Sequence, residues 1–334
     1  MKPQLERELQ AILKKHNWKS ARGNGPASFE TQAKRAEVLY GGFNILYNVL
    51  KFKIESIFNY REYHMKQLAY YWEKNGIKDI QTRISIFRVF ANLWLGKHGM
   101  IRESERYVRD PASVRRRCAT TEDKTWTGKV VDVISTIKRV AEIDPRVAVV
   151  LELMYAFGLR IKEALLLHPH MADKKLVLAI TRGAKGGRNR VTEIQTDVQQ
   201  DVLERAKTFA HKKTSSMIPD GKGFNFYRKR VYRVCNKVGI QKKLGVVPHG
   251  LRHEWANAKF EEITQAKSPI KGGKPGEVSA EQDKYARHDI AESLGHSRPN
   301  ISSAYLGAAC REATTDIQTR LPSREGDTDT KTDE

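Results

Sequence analysis

Apolar residues recur at intervals of three and four along most of this chain, and only two short runs depart from that spacing. The recurrence predicts helices. The predicted helices cover residues 5–16, 29–51, 61–74, 80–97, 128–140, 145–157, 197–212 and 224–238. The two exceptions, at 176–181 and 191–196, are β-prone and flank a glycine-containing turn, which predicts one β-hairpin. The expected fold class is therefore mainly α with a small β-hairpin or sheet.

The stretch 109–126 divides the chain, because it combines a proline, small polar residues and clustered charge, as linkers do. We expect a helical domain over residues 1–115, a linker over 116–126 and a mixed α/β domain over 127–322. A length of 334 residues allows each domain its own core. Residues 323–334 are polar and rich in acidic residues, without an apolar side chain, so we expect a disordered tail there.

Lysine and arginine outnumber aspartate and glutamate by 60 to 39, and the formal net charge is +21 at pH 7. Such an excess favours a polyanionic partner, because each phosphate that is neutralised releases condensed counterions. A generic RNA-binding protein would carry the same bias. The charge therefore indicates a nucleic acid without saying which.

The three cysteines, Cys118, Cys235 and Cys310, are far apart and form no Cys-x-x-Cys pair. This usage indicates a reducing compartment and no structural zinc. The longest apolar runs are too short to span a membrane, and residues 1–10 lack the apolar segment of a signal peptide. We expect a cytoplasmic protein with no membrane partner.

A set of arginine, lysine, histidine and tyrosine residues in the second half of the chain would suit chemistry on a phosphate. An arginine fork fits two phosphate oxygens, a histidine moves protons near neutral pH, and a tyrosine hydroxyl can hold a phosphoryl group covalently. Taken alone, each residue is more often structural. The set comprises Gly158-Leu159-Arg160 with Glu163, Lys185 in a Lys-Gly-Gly turn, His249 with Arg252, His296, and Tyr305.

The order of these motifs, with His-x-x-Arg, then Leu-Gly-His, then a tyrosine nine residues later, resembles the C-terminal signature of the tyrosine recombinases, or phage-type integrases. Four motifs in one order over residues 155–306 make the resemblance specific. It implies a helical core-binding domain followed by a mixed α/β catalytic domain. It also implies six catalytic residues, namely Arg160, Lys185, His249, Arg252, His296 and Tyr305.

In that family's chemistry the tyrosine attacks the scissile phosphate and forms a 3′-phosphotyrosyl bond. The resemblance implies that Arg160, Arg252 and His296 bind the phosphate oxygens, with Glu163 holding Arg160. Lys185 would protonate the leaving 5′-oxygen, and His249 would either accept the tyrosine proton or position it. No cofactor and no metal are expected; a zinc pair of His249 with His253 is disfavoured because a third ligand is missing from the usual place.

The expected partner is double-stranded DNA with an inverted-repeat core site, bound by a homotetramer that is a monomer or weak oligomer when free. Residues 308–321 resemble the family's donated C-terminal helix, and we expect no separate arm-binding domain before residue 1. The predicted DNA-contacting residues are Arg83, Arg88, Arg115, Arg116, Arg117, Arg188, Arg190, Arg228 and Arg230.

Residues 263–284 depart from the family pattern, because Arg252 and His296 are 44 residues apart, more than in compact members. The excess is rich in lysine and glycine, so we expect an exposed loop that either contacts phosphates or is passive.

Two other functions remain open at this point: a type IB topoisomerase-like enzyme using the same residues, and a catalytically idle DNA-binding protein. Within the family, integration or excision of a mobile element is the favoured reaction. The sequence alone leaves resolution, inversion and the target sequence undetermined.

Overall fold

The computed structural model describes residues 1–21, 25–115, 119–184, 187–296 and 298–309. The chain divides into two compact units, Met1–Arg116 and Arg117–Glu334. Several predictions lie outside the described residues and keep their standing as predictions. They concern Arg116, Arg117, Lys185, the expected helix beyond residue 309 and the expected acidic tail.

The first unit is helical throughout its regular structure. Its helices are α1 Pro3–His16, α2 Phe29–Asn44, α3 Glu62–Lys74 and α4 Ile80–Arg88. Two of them continue into π-helical turns at Ile45–Val49 and Val89–Trp94. The Ser28 side chain caps α2 by accepting a hydrogen bond from the Thr31 backbone nitrogen.

Aromatic side chains fill the core of the first unit. The Phe43 ring lies 5.7 Å from the Tyr60 ring and 5.6 Å from the Phe90 ring, and all three residues are buried. Arg83 pairs with Asp79 at 2.6 Å. Arg83, which the sequence suggested as a DNA contact, thus has an ionic partner within the protein. Arg88 likewise donates to the Arg102 backbone carbonyl, and DNA contact by these two arginines stays a prediction.

The second unit packs helices around α6, with one antiparallel hairpin at its edge. Its elements are α5 Val133–Ile143, α6 Pro145–Phe157, α7 Ile161–Leu166, α8 Pro169–Ala172, β1 Val177–Ile180, β2 Arg190–Glu193, α9 Asp197–Phe209, α10 Phe224–Lys237, α11 Gly250–Thr264, α12 Ala280–Ser293 and α13 Ser303–Leu306. In the hairpin, Val177 pairs with Glu193 and Ile180 pairs with Arg190. The mainly helical fold class with one small sheet is confirmed.

Helix α5 begins at Val133, five residues later than the periodicity suggested. Residues Thr127–Lys129 form a 3₁₀ turn, and Val130 adopts a left-handed conformation with φ of 57° that ends it. The Asp132 carboxylate then accepts a hydrogen bond from the Ser135 nitrogen and starts the helix. The spacing of apolar residues predicted the wrong start for α5, because it contains no information about the capping residue Asp132.

The expectation of an exposed loop over residues 263–284 holds for most of residues 265–279 and is wrong at both ends of the stretch. Helix α11 extends into it as far as Thr264, and α12 already begins at Ala280. Between them, Ser268 is only 1% exposed and its hydroxyl donates to the Asn257 side chain. Ser268 is therefore internal, because its hydroxyl finds a hydrogen-bond partner inside the unit.

Within the described ranges, no helix has the length and apolar character needed to cross a membrane. The same ranges contain no group of three or more histidine, cysteine, aspartate or glutamate side chains arranged to hold a metal ion. Cys235 is a buried free cysteine, and burial raises the pKa of its thiol to about 12.

Candidate active site

Four of the predicted catalytic residues meet at one place in the second unit, although they come from distant parts of the chain. Arg160 precedes α7, Arg252 lies in the first turn of α11, His296 follows α12, and Tyr305 lies in α13. The Tyr305 ring is buried in a small apolar cluster that α11 and α12 supply with residues such as Phe260 and Ile290.

Arg252 is fully buried and its guanidinium is fixed on three sides. It donates to the carbonyl oxygens of Gly158 and Leu294, the latter at 2.7 Å, and its Nε lies 3.1 Å from the Tyr305 hydroxyl oxygen. Burial lowers the pKa of this guanidinium to about 10, which leaves it charged at neutral pH. A buried cation is thus held in contact with the predicted nucleophile.

Gly158 allows α6 to end directly beneath this guanidinium. Its φ of +59° is left-handed, and a Cβ atom there would lie 2.8 Å from the Trp255 ring. Any other residue would strain the backbone and displace Trp255. The glycine of the Gly-Leu-Arg motif therefore sets the position of the carbonyl that Arg252 binds and of Arg160 two residues later.

Glu163 is a buried carboxylate shared by three arginines. It accepts hydrogen bonds from the Arg160 side chain at 2.6 Å and from Arg190 at 2.8 Å, and Arg252 lies 3.6 Å away. Burial would raise the pKa of the Glu163 carboxyl, but the charges of Arg190, Arg252 and Arg160 outweigh burial and hold that pKa below its usual range. Three guanidinium groups around one carboxylate leave a net positive charge, which suits a phosphate.

Arg190, which the sequence suggested as a DNA contact, lies inside the unit, and its contact with DNA stays a prediction. Arg190 is 7% exposed, and it donates to Glu163, to the Thr192 hydroxyl and to the Ser293 carbonyl. These bonds connect strand β2 to the end of α12, just before His296. Arg190 is an internal residue of the site, and no sequence signal marks it, because strand alternation would place the apolar Val191 inward, whereas Val191 is exposed.

His296 stands between the arginines and the tyrosine. Its Nε2 lies 3.3 Å from an Arg160 nitrogen, 3.5 Å from an Arg252 nitrogen and 3.4 Å from the Tyr305 hydroxyl oxygen. Because a guanidinium only donates, Nε2 acts as an acceptor in this arrangement. The same lone pair is therefore within reach of the Tyr305 proton.

His249 lies further from the hydroxyl, with its ring centre 6.2 Å from that of Tyr305. Part of the His249 surface is open to solvent. The pKa of His249 is nevertheless lowered to about 4, mainly by the protein packed around its imidazole and also by the charges of Arg252, Arg160 and Lys124. His249 is thus a neutral imidazole at physiological pH. Its role as base or positioning group stays a prediction.

His253 is a member of the site that the sequence reasoning considered only as a zinc ligand. Its ring lies 4.8 Å from the Tyr305 ring, and it is 5% exposed. Burial lowers the pKa of His253 to about 3, with a smaller contribution from His249. Its Nδ1 has no hydrogen-bond partner among the described residues. The sequence feature that could have identified His253 is its position directly after Arg252 on the first turn of α11.

The remaining predicted DNA contacts are spread over other surfaces. Arg188 is exposed in the hairpin, and Arg115 is exposed beside Glu105 at 3.5 Å. Arg228 lies over the Phe224 ring. Arg230 pairs with Asp144 at 2.9 Å. Their contact with DNA stays a prediction.

Residues 116–258 match the family model described as Integrase. A lambda integrase dimer bound to a COC′ core site has a TM-score of 0.53 to this chain at 14% identity, over 96% of this chain and 80% of that one. XerH site-specific recombinase bound to palindromic difH substrate has a TM-score of 0.52 at 16% identity, over 90% and 80%. The Tn1549 transposon integrase in complex with a circular intermediate DNA has a TM-score of 0.54 at 14% identity, over 90% and 95%. At these identities the structural likeness establishes the fold.

The matched segment supplies Arg160, His249 and Arg252, whereas His296 and Tyr305 follow it and are joined to it by the hydrogen bonds described above. Family match, fold and assembled motifs agree: residues 116–258 are an integrase domain, and the chain has the fold of the site-specific recombinases to which it is similar.

Proposed function

We propose that this protein cuts and rejoins DNA through a 3′-phosphotyrosyl intermediate on Tyr305. The observation that carries the proposal is the Tyr305 hydroxyl, which lies 3.1 Å from Arg252 Nε and 3.4 Å from His296 Nε2 beside an excess of buried positive charge. A nucleophile, two phosphate-binding groups and a proton acceptor at one point are what transfer of a phosphoryl group to tyrosine requires.

In the cleavage step the Tyr305 oxygen forms a bond to phosphorus, and the bond from phosphorus to the 5′-oxygen breaks. Arg160 and Arg252 bind the non-bridging oxygens and stabilise the charge that develops on them, and the histidine that does not take the Tyr305 proton adds a hydrogen bond there. Lys185, outside the described residues, gives a proton to the leaving 5′-oxygen. A 5′-hydroxyl then reverses the step. One phosphodiester is exchanged for another, so the reaction as written needs no nucleotide and no metal.

Two histidines can take the Tyr305 proton. His249 is neutral, with its pKa lowered to about 4, and was the expected acceptor. His296 has its Nε2 3.4 Å from the hydroxyl oxygen, and this distance favours His296 in the present arrangement. The other histidine would then orient the phosphate.

We further propose that the substrate is double-stranded DNA with an inverted-repeat core site, bound by a homotetramer in the cytoplasm, and that the reaction moves a mobile element. The net charge of +21 supports the nucleic-acid partner. The similar lambda integrase binds a core site as a dimer, and the similar Tn1549 transposon integrase binds a circular intermediate DNA. The segment after residue 309 would link neighbouring subunits.

The test uses a nicked suicide duplex that carries the inverted repeat flanking the gene. Tyr305→Phe removes only the nucleophilic oxygen, so we expect unchanged affinity in a gel shift and complete loss of the covalent adduct. Tyr285→Phe, which alters a 65% exposed tyrosine on α12, is the matched control and should behave as wild type. Adduct formed by Tyr305→Phe would mean another nucleophile. Relaxation of supercoiled plasmid without exchange between two sites would instead assign a type IB topoisomerase activity.

A further inference from the structure

The turn between α11 and α12, residues 265–273, packs against the segment that carries Tyr305. Gly307 ends that segment with φ of +83°, and a Cβ atom there would lie only 3.2 Å from the Ile270 nitrogen and 3.6 Å from the Pro269 Cβ. The two backbones therefore touch without an intervening side chain. We name residues 265–273 the support turn.

A chain of buried polar groups connects the support turn to the tyrosine backbone. The Ser268 hydroxyl donates to Asn257 Oδ1. The Asn257 Nδ2 group donates to the His253 carbonyl at 2.7 Å and to the Tyr305 carbonyl at 3.3 Å. Ser268 is 1% exposed and Asn257 is 4% exposed, so water does not compete with these bonds. The serine fixes the amide orientation that directs both N–H groups at these carbonyls.

The other side of the support turn is held to the start of the catalytic unit. Lys271 Nζ lies 2.6 Å from the Thr125 hydroxyl, 2.8 Å from the Thr127 hydroxyl and 3.1 Å from the Asp123 carboxylate. The Thr127 backbone nitrogen in turn donates to Glu254 on α11. The support turn thus rests on a fixed part of the unit and cannot follow the tyrosine if the tyrosine moves.

Helix α13 needs support of this kind because it has only four residues, Ser303–Leu306. A single helical turn has no stability of its own in water. Its other polar restraints include the bond of the Thr120 nitrogen to the Ser303 carbonyl at 2.9 Å and the bonds of Arg287 to the Ser303 hydroxyl at 3.3 Å and to the Gly307 carbonyl at 3.1 Å. Among these, only the bond from Asn257 reaches the Tyr305 backbone itself.

We propose that Ser268 and Asn257 are positioning residues, which hold the Tyr305 backbone so that its hydroxyl meets the phosphate in line. This inference rests on the proposed role of Tyr305 as nucleophile. It gives the extra residues between Arg252 and His296 a function that is neither phosphate binding nor passive length.

The test compares Ser268→Ala with Thr264→Val. Both remove one buried hydroxyl from the same region, but the recorded bonds of the Thr264 hydroxyl are to the backbones of Phe260 and Ala266, and none of them reaches Tyr305. We expect Ser268→Ala to lower the rate of adduct formation at saturating DNA by about 10- to 100-fold, because small misplacements of a reacting group have costs of this size. Its DNA affinity should stay within about twofold of wild type, and Thr264→Val should cleave like wild type.

Hydrogen–deuterium exchange on the free protein supplies a second readout that does not depend on cleavage. Amides of residues 303–307 should exchange faster in Ser268→Ala than in Thr264→Val. Equal cleavage rates together with equal exchange in the two variants would overturn the inference, and so would equal slowing in both. Covalent adduct on Tyr305→Phe would instead refute the proposed nucleophile, while faster exchange in Ser268→Ala would still stand as evidence for the support turn.

Discussion

Glu163→Gln should destabilise the free protein strongly, because one carboxylate offsets three buried or half-buried guanidinium groups. The carboxylate oxygens lie 2.6 Å from Arg160, 2.8 Å from Arg190 and 3.6 Å from Arg252, and Glu163 itself is fully buried. Glutamine keeps the shape and removes the charge. Removing one partner from a buried ionic group typically costs about 3–5 kcal/mol, and we expect a loss of that size in the free energy of unfolding.

Urea denaturation measures this loss, with Glu152→Gln as the matched control. Glu152 pairs with Arg205 at 2.9 Å, but the Arg205 side chain is 48% exposed, so we expect the control to lose less than about 1 kcal/mol. Similar losses in the two variants would refute the reasoning, since Glu163 would then not be balancing the arginines. A cleavage defect in Glu163→Gln is also expected, because Arg160 loses the bond that sets its rotamer.

Two further predictions concern single residues. Lys185→Ala should slow cleavage by about 10²- to 10⁴-fold with little change in DNA affinity, and a 5′-thio leaving group should restore the rate, because a thiolate departs without a proton; equal slowing on oxygen and sulfur substrates would remove Lys185 from the role of acid. The pKa of buried His253 is lowered to about 3, below its unfolded value near 6.5. As the pH falls between these two values, the unfolded chain takes up the proton and the folded chain does not. The free energy of unfolding should therefore decrease by up to about 1.4 kcal/mol for each pH unit of acidification. Urea midpoints between pH 7 and pH 4 should decline less steeply in His253→Gln, and an equally steep decline would show that His253 is not the group responsible.

Motif spacing was enough to predict Arg160, Arg252, His296 and Tyr305 as neighbours. Each of these residues lies next to a glycine, a helix start or a short helix, and the local sequence determines where that element lies. The spacing of the motifs was therefore enough to predict that the four side chains meet. It was not enough to show how many arginines share Glu163. Whether Arg190 points inward depends on the residue at which β2 begins, and a shift of one position would have exposed it.

Composition misled the reading of the region between α11 and α12. Lysine, glycine and serine are typical of solvated loops, yet Ser268 is buried and Lys271 pairs with Asp123. Their partners come from residues 11 and 148 positions away in the chain, so no local pattern could reveal them. The same holds for His253, because its partner Tyr305 lies far away in the sequence, in a different helix.

The apolar cluster around Tyr305 is separate from the larger core that surrounds α6. It contains Phe260, Ile290, Leu294 and Leu306 with a few alanines, whereas the larger core draws on nearly every other element of the unit. A small cluster of this kind opens at a lower free energy than the core does. On heating we therefore expect the segment that carries Tyr305, the proposed nucleophile, to open before the fold is lost, so that activity disappears below the temperature at which the helices melt.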